Sequence, residues 1–247
     1  MKGTPRENVF LIGESPMVEE FTEECLRAGY FVTAKLNHSS KQDSFPRGNA
    51  GKARHTALAV ELTNTDRERK TKNIRFLEKS LPHNAAILSS SVTITASEQA
   101  TWLKSPGRLM GLAALPSLLS GQLLEIAPTL STSRATVSAA KKFLERLGKE
   151  IAVVQDRVGM VLPRILCMLI NEASFAVMEN VAHPRDVDIA MKLGTNYPLG
   201  PVEWADRIGI QQVFCVLQSL HQNLGEERYR IAPLLRQMAT GKQWWST

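Results

Sequence analysis

Short apolar runs alternate with amphipathic stretches along about the first 155 residues, an order typical of an α/β domain. Residues 9–12 are apolar throughout and are followed by Gly13, which predicts a strand buried on both faces. A segment with helical periodicity, 16–28, and a second apolar run, 30–34, come next. This strand–helix–strand order predicts the first βαβ unit of a doubly wound sheet.

The same two periods predict the later elements and a change of class near Asp156. Further strands or apolar stretches are predicted at 57–62, 86–91, 109–115, 123–127 and 150–154, and helices at 70–80 and 136–147. Helical patterns follow at 158–182, 185–193, 202–224 and 231–239. We therefore predict a Rossmann-like N-terminal domain over 1–155 and an all-helical C-terminal domain over 156–247. A polar stretch without periodicity, 37–56, is predicted to be an irregular loop.

Two glycines and two prolines interrupt the helical pattern between residues 194 and 201. Gly194 is expected to end one helix, and Gly200 to supply a positive φ in the turn that follows. Pro201 is expected to open the next helix, where a missing N–H costs little. Near the end of the chain, Trp244 and Trp245 are expected to pack on the helical domain as large apolar anchors.

The composition is that of an ordinary soluble globular protein. Of the 247 residues, 43% are hydrophobic and 22% are charged, and no apolar run approaches the roughly 20 residues that span a membrane. The first residues lead directly into a strand, so no signal peptide is expected and the expected compartment is the cytoplasm.

The cysteines and the net charge exclude two further classes. Cys25, Cys167 and Cys215 are too scattered for a metal site or a disulfide framework, and we expect them to be small buried side chains. The net charge of +6 comes from basic residues that do not alternate with aromatic ones, so no nucleic-acid partner is expected. A weak basic bias also suits a phosphate-bearing ligand such as coenzyme A.

The stretch from 188 to 210 resembles the helical C-terminal domain of the 3-hydroxyacyl-CoA dehydrogenase family. A K-L-G-x-x-x-P-x-G-P turn recurs in that family and stands here at residues 192–201. Shorter matching stretches lie at 28–30, 147–149, 164–166 and 171–173. The resemblance implies an N-terminal Rossmann-like domain that binds NAD. It also implies a helical domain that forms a homodimer and closes a cleft for a CoA thioester.

Most glycines of the dinucleotide loop implied by this resemblance are missing. The loop reads G-E-S-P-M-V at residues 13–18, so Gly13 is kept as a candidate cofactor-binding residue while Val18 replaces the glycine that packs the helix on the strand. Ser15 places a Cβ where the pyrophosphate would pass, Pro16 removes a backbone donor, and Glu14 adds a charge of the same sign as the phosphates. Ser15 and Pro16 instead predict an ordinary helix start, with Ser15 as the N-cap.

Other cofactor contacts implied by the family are also changed. Residues 35–37, Lys-Leu-Asn, stand where an acid would bind the ribose, and Thr65 stands where a second acidic contact is implied. Lys70 matches the family's lysine and is a candidate cofactor-binding residue, although a lysine on so basic a helix is typical of solvated surface. We therefore expect no cofactor, unless the chain is active, in which case the resemblance implies NAD.

The family's catalytic motif, G-M-H-F-F-N-P, falls on residues 111–117. Its proton-accepting histidine is replaced by Ala113 and its asparagine by Pro116. Alanine cannot move a proton, and the loss of a general base typically costs about 10²–10⁴ in rate. The glutamate that orients the histidine is kept twelve residues later as Glu125, which is the candidate catalytic residue.

Substrate contacts implied by the family are shifted or lost. The family's serine falls on Val92, so the neighbouring hydroxyls of Ser91 and Thr93 are candidate substrate-binding residues. A further family asparagine falls on Pro163. The chain's five histidines are expected to be solvated and not catalytic: His38, His55, His83, His183 and His221.

Three functions are left open by the sequence. The first is a family member that has lost dehydrogenation and acts by binding, to an acyl-CoA-like ligand or to a partner protein. The second is an active NAD-dependent 3-hydroxyacyl-CoA dehydrogenase of fatty-acid metabolism with a rebuilt site. The third is a purely structural module that forms a homodimer through its helical domain.

Overall fold

The structure is a computed structural model that describes residues 7–37 and 56–241. The chain divides into two compact units, Met1–Arg157 and Val158–Thr247. Most of the loop predicted at 37–56, with His38 and His55, lies outside the described residues, as do Trp244 and Trp245.

The first unit is built on a seven-stranded sheet in the order β2-β1-β3-β4-β5-β6-β7. The strands are β1 Asn8–Gly13, β2 Phe31–Leu36, β3 Thr56–Leu62, β4 Ala86–Ser90, β5 Leu109–Leu112, β6 Leu123–Pro128 and β7 Glu150–Val153. The strands β1 to β5 are parallel, and β6 pairs antiparallel with β5 and parallel with β7. Strand order reverses between β1 and β3, and ligands of such sheets bind beyond the carboxyl ends of the strands at that switch point.

Helices cover both faces of this sheet. They are α1 Met17–Arg27, α2 Arg67–Ser80, α3 Ala96–Ala100 and α4 Arg134–Arg146. Side chains of β1 alternate between two apolar cores: Val9 and Leu11 pack with Phe21 of α1, whereas Phe10 and Ile12 pack on the other face with α2 and α3. The predicted doubly wound sheet and its doubly buried first strand are confirmed.

The second unit is helical in its described residues, which confirms the predicted class. Its helices are α5 Leu162–Met178, α6 Pro184–Thr195, α7 Pro201–Ile208, α8 Ile210–Leu224 and α9 Pro233–Gly241. The single helix predicted over 202–224 is wrong, because Gly209 has φ +88° and separates α7 from α8. Within the described ranges, no helix is both long enough and apolar enough to cross a membrane.

The turn between α6 and α7 is built differently from the prediction. Helix α6 continues through Gly194, and the left-handed residue that follows it is Asn196, with φ +57°. Asparagine tolerates this conformation better than most residues because its short polar side chain can bond locally. The prediction that Gly194 ends the helix is therefore wrong.

Gly200 is needed for close packing and not for a positive φ. Its φ is −76°, but a Cβ built there would lie 2.1 Å from Oδ1 of Asp188. The buried Asp188 carboxylate accepts hydrogen bonds from the backbone N–H groups of Val202 and Glu203, at 2.8 and 3.1 Å, and so caps α7 from the neighbouring helix. Burial raises the pKa of Asp188, and these two hydrogen bonds oppose that rise.

The two glycines of this turn are expected to respond to alanine in opposite directions. Gly200→Ala should cost about 1–3 kcal/mol, because the new methyl group forces the Asp188 cap away from α7. Gly194→Ala should stabilise the protein by up to about 1 kcal/mol, because the site is helical and an added Cβ meets nothing within 4 Å. Thermal unfolding midpoints measure both, and a Gly200→Ala midpoint at or above that of Gly194→Ala would refute the packing role.

Candidate functional site

The carboxyl ends of β1 and β3 lie side by side at the switch point, where Gly13, the last residue of β1, pairs with Leu62 of β3. Gly13 has φ +155°, and a Cβ there would lie 2.4 Å from the backbone oxygen of Leu62. The next backbone N–H, that of Glu14, donates to the same oxygen at 3.0 Å. Contact between neighbouring strands therefore requires this glycine even without a cofactor, and its cofactor role stays a prediction.

The Glu14 side chain bridges the loops that follow β1 and β3. One carboxylate oxygen accepts from the backbone N–H of Thr65 at 2.9 Å and from its hydroxyl at 2.7 Å. The other accepts from the backbone N–H of Asn64 at 3.2 Å. The negative charge seen in the sequence is thus held across the crevice between the two loops.

Asn64 ties this bridge to the rest of the carboxyl edge. Its buried amide donates to the backbone oxygen of Ala114 at 2.9 Å and accepts from the Ser90 hydroxyl at 2.6 Å. Its backbone oxygen accepts from the hydroxyl of Thr93 at 3.1 Å. Asn64 is not among the predicted site residues, although a polar residue two positions after a buried strand at the switch point was a usable signal.

The candidate substrate hydroxyls are both buried and bonded within the protein. Ser91 is fully buried, and its Oγ donates to the backbone oxygen of Ser89 at 3.1 Å and accepts from Nε2 of Gln99 at 3.2 Å. Thr93 bonds to Asn64 as described above. The structure places these hydroxyls in one network with the Glu14 bridge, and their substrate-binding role stays a prediction.

Lys70 lies in the interior, so the expectation that it is solvated surface is wrong. It is 1% exposed, forms an ion pair with the fully buried Glu61 of β3, and donates to the backbone oxygen of Thr63 at 2.8 Å. Glu61 also accepts from the Ser89 hydroxyl at 3.0 Å. The ammonium group proposed as a cofactor contact is therefore engaged inside the protein.

Helix α1 begins without the predicted serine cap. It starts at Met17, and the residue before it, Pro16, makes no side-chain capping bond, so Ser15 is not the N-cap. In the first turn of α1, Glu20 forms a long-range hydrogen bond: its carboxylate accepts from the backbone N–H of Ser117 at 2.9 Å. This bond ties α1 to the last residue of the 111–117 motif, and burial raises the pKa of Glu20.

The raised pKa of Glu20 gives a pH-dependent stability. A carboxyl group whose pKa is higher in the folded state contributes stability below its unfolded pKa and loses it as pH rises through the folded value. Glu20→Gln removes this titration and keeps an oxygen for the Ser117 N–H. Relative to that variant, the wild-type free energy of unfolding should fall as pH rises above the ordinary glutamate pKa of about 4.3. Urea unfolding measures this, with the exposed Glu19→Gln as control; a pH-independent difference would refute it.

Ala113 and Glu125, the positions that the resemblance assigns to a histidine and a glutamate, lie side by side. The Ala113 backbone N–H donates to the Glu125 backbone oxygen at 2.9 Å and extends the antiparallel pairing of β5 with β6. Opposite residues in such a pair project to the same face. Both are buried, at 5% and 4% exposure, so the Ala113 methyl group lies next to the side chain of Glu125 on the same face. Pro116 follows in the same segment.

None of the described histidines lies where it could replace the missing general base of the first unit. His83 is exposed and precedes β4, at the amino end of that strand and opposite to the edge where the Glu14 bridge lies. In the second unit His183 caps α6 through its ring nitrogen, and His221 is exposed on α8. Pro163 lies in the first turn of α5.

As they stand, the residues of the crevice do not fit a dinucleotide. The backbone N–H groups that an anion would use are bonded to the carboxylate of Glu14, and Lys70, which matches the family's lysine, is paired in the interior.

The cysteines do not form a metal site in the described residues. Cys25 and Cys167 are buried, and burial raises the pKa of Cys25 to about 12, whereas Cys215 is half-buried. Among the residues that the structure describes, no group of three or more His, Cys, Asp or Glu side chains could hold a metal ion.

Comparison with known families gives matches in both units. The family model described as "3-hydroxyacyl-CoA dehydrogenase, NAD binding domain" matches residues 9–157, and "3-hydroxyacyl-CoA dehydrogenase, C-terminal domain" matches residues 159–244. A solved structure of (S)-3-hydroxybutyryl-CoA dehydrogenase from Ralstonia eutropha matches 97% of this chain and 95% of its own, with a TM-score of 0.79 at 23% identity. This likeness concerns the fold.

Curated relatives are similar over most of the chain. A probable 3-hydroxybutyryl-CoA dehydrogenase of Bacillus subtilis is 33% identical over 74% of the chain and 64% of its own length. A 3-hydroxybutyryl-CoA dehydrogenase of Bradyrhizobium diazoefficiens is 34% identical over 72% of the chain and 61% of its own. The chain thus spans less than two thirds of the length of these relatives.

Proposed function

Since the chain belongs to the 3-hydroxyacyl-CoA dehydrogenase family, we propose that it acts by binding, to an acyl-CoA-like ligand or to a partner protein, and does not dehydrogenate. The observation that carries this proposal is the methyl group of Ala113 beside Glu125, where the family has its histidine. The alanine side chain has no group that could accept a proton from the substrate. The loss of a general base alone typically lowers rates by about 10²–10⁴.

Two features support the two kinds of partner. Relatives of the chain are named as dehydrogenases of a CoA thioester, and a net charge of +6 favours an anionic ligand of this class. The helical unit exposes large apolar side chains, among them Ile165, Val181 and Leu193, which are 53%, 72% and 84% exposed. Exposed apolar surface of this kind supports a homodimer.

An active dehydrogenase with a rebuilt site is the second candidate. It is favoured by the retained Glu125 and by identities of 33–34% to proteins named as dehydrogenases. In this case the carboxylate, with a water molecule or a serine, would take the proton. This candidate requires NAD to bind, whereas the first does not.

Thermal unfolding in the presence of each ligand separates the candidates. A ligand at 100 times its Kd stabilises the native state by about 2.7 kcal/mol. We expect acetoacetyl-CoA to raise the unfolding midpoint and NADH at millimolar concentration to leave it unchanged. A rise with NADH would favour the active enzyme. If neither ligand raises the midpoint, binding to a protein partner remains as the proposed function. Sedimentation equilibrium then tests whether that partner is a second copy of the chain.

A further inference from the structure

We propose that Glu14 is the residue that excludes phosphate-bearing nucleotides from the switch-point crevice, because its carboxylate fills an anion-binding position formed by Asn64 and Thr65. The inference rests on the proposed loss of dehydrogenation and names the side chain that prevents cofactor binding. The missing glycines of the loop indicate only that nucleotide binding is weakened, whereas the inference attributes the exclusion of the nucleotide to the side chain of Glu14.

Within residues 7–37 and 56–241, three donors from the loop after β3 converge on the Glu14 carboxylate. They are the consecutive backbone N–H groups of Asn64 and Thr65 and the Thr65 hydroxyl, at 3.2, 2.9 and 2.7 Å. Consecutive backbone N–H groups in a turn form concave sites for anions, phosphate oxygens included. This position lies beyond the carboxyl end of β3 beside the switch point, where sheets of this order bind nucleotides.

The other departures from the glycine-rich loop do not reach this position. Ser15 and Pro16 are exposed, and Val18 is 1% exposed in the apolar core beneath α1. Glu20 of α1 is half-buried, and its carboxylate is bonded to Ser117. Of these side chains, Glu14 is the one that crosses from the first loop to the second.

The site can be reached by a ligand once the carboxylate is removed. Thr65 is exposed, and Glu14 itself is only half-buried. Asn64 is held by its own amide to Ala114 and Ser90, so its backbone N–H should keep its place in a Glu14 variant. Removing the carboxylate therefore frees donors that are already positioned, and it removes a like charge that repels phosphate.

The test is a titration with NADH, followed by nicotinamide fluorescence, and with ADP-ribose, followed by calorimetry. Glu14→Ala removes the carboxylate and keeps the Cβ. Glu14→Gln keeps the size and one acceptor, and carries the test if the alanine variant does not fold. Glu19→Gln is the matched control, because Glu19 is exposed in the first turn of α1, the helix that follows Glu14, and carries the same charge.

We expect Glu14→Ala to bind both ligands at least roughly tenfold more tightly than the wild type and Glu19→Gln, a change of about 1.4 kcal/mol. Glu14→Gln should change in the same direction by less. An affinity of Glu14→Ala, or of Glu14→Gln in its place, equal to that of Glu19→Gln would overturn the inference and leave the proposed function intact. Saturable NADH binding by the wild type below millimolar concentration would overturn both.

Discussion

Lys70→Met is expected to destabilise the first unit by about 3–5 kcal/mol, because it leaves the carboxylate of Glu61 buried without its cation. Glu61 is fully buried in β3, and water does not reach it to replace the lost ion pair. The backbone oxygen of Thr63 also loses its ammonium donor. Methionine fills a similar volume, so the cost arises from charge and hydrogen bonding and not from a cavity.

Two further variants separate this charge effect from packing. Glu61→Gln in the Lys70→Met background should recover much of the lost stability, since the amide is neutral and its oxygen still accepts from the Ser89 hydroxyl. Lys72→Met, at an exposed lysine of the same helix, should change the stability by less than about 0.5 kcal/mol. Urea unfolding measures all three; a double variant no more stable than Lys70→Met would refute the ion-pair explanation.

The order of strands and helices could be predicted because it depends on the local periodicity of apolar residues. The alternation of buried faces along β1 and the apolar run before Gly13 follow from residues within one element. The helical class of residues after Asp156 follows in the same way. Where a break depended on one backbone conformation, as at Gly209, the pattern on both sides was helical and the prediction joined two helices.

The burial of Lys70 could not be predicted from its own helix. The segment R-E-R-K at 67–70 is typical of a solvated face, and the partner of Lys70 lies on a strand of the sheet. The usable signal was Glu61 itself, a charged residue inside an apolar run, since a buried carboxylate needs a cation or several donors. The packing role of Gly200 could not be predicted locally either, because Gly200 lies in a turn and contacts Asp188 of the preceding helix.

The candidate site was predicted in part. The resemblance predicts that Ala113 replaces a proton acceptor and that Glu125 is kept, and strand pairing places these two residues side by side. The sequence also showed Glu14 in the loop, but not the side chain's path across the crevice, which depends on donors fifty residues away. Local patterns reveal which groups are missing, whereas long-range contacts decide what occupies their place.

The largest effect on function is expected in turnover. The family's reaction needs a group that accepts a proton at position 113, and alanine has none, so the rate should lie at least about 10²-fold below that of an intact relative. Hindered cofactor binding at the Glu14 bridge lowers the rate further. The 3-hydroxybutyryl-CoA dehydrogenase of Bradyrhizobium diazoefficiens, 34% identical over the matched residues, is a suitable positive control.

The missing proton acceptor is tested most directly by mixing the protein with NADH and acetoacetyl-CoA and following the absorbance of the reduced nicotinamide. We expect the absorbance to fall no faster than in the protein-free mixture, while the positive control consumes NADH at the same protein concentration. Turnover of about 1–10³ per second, the range usual for enzymes, would contradict the loss of dehydrogenation.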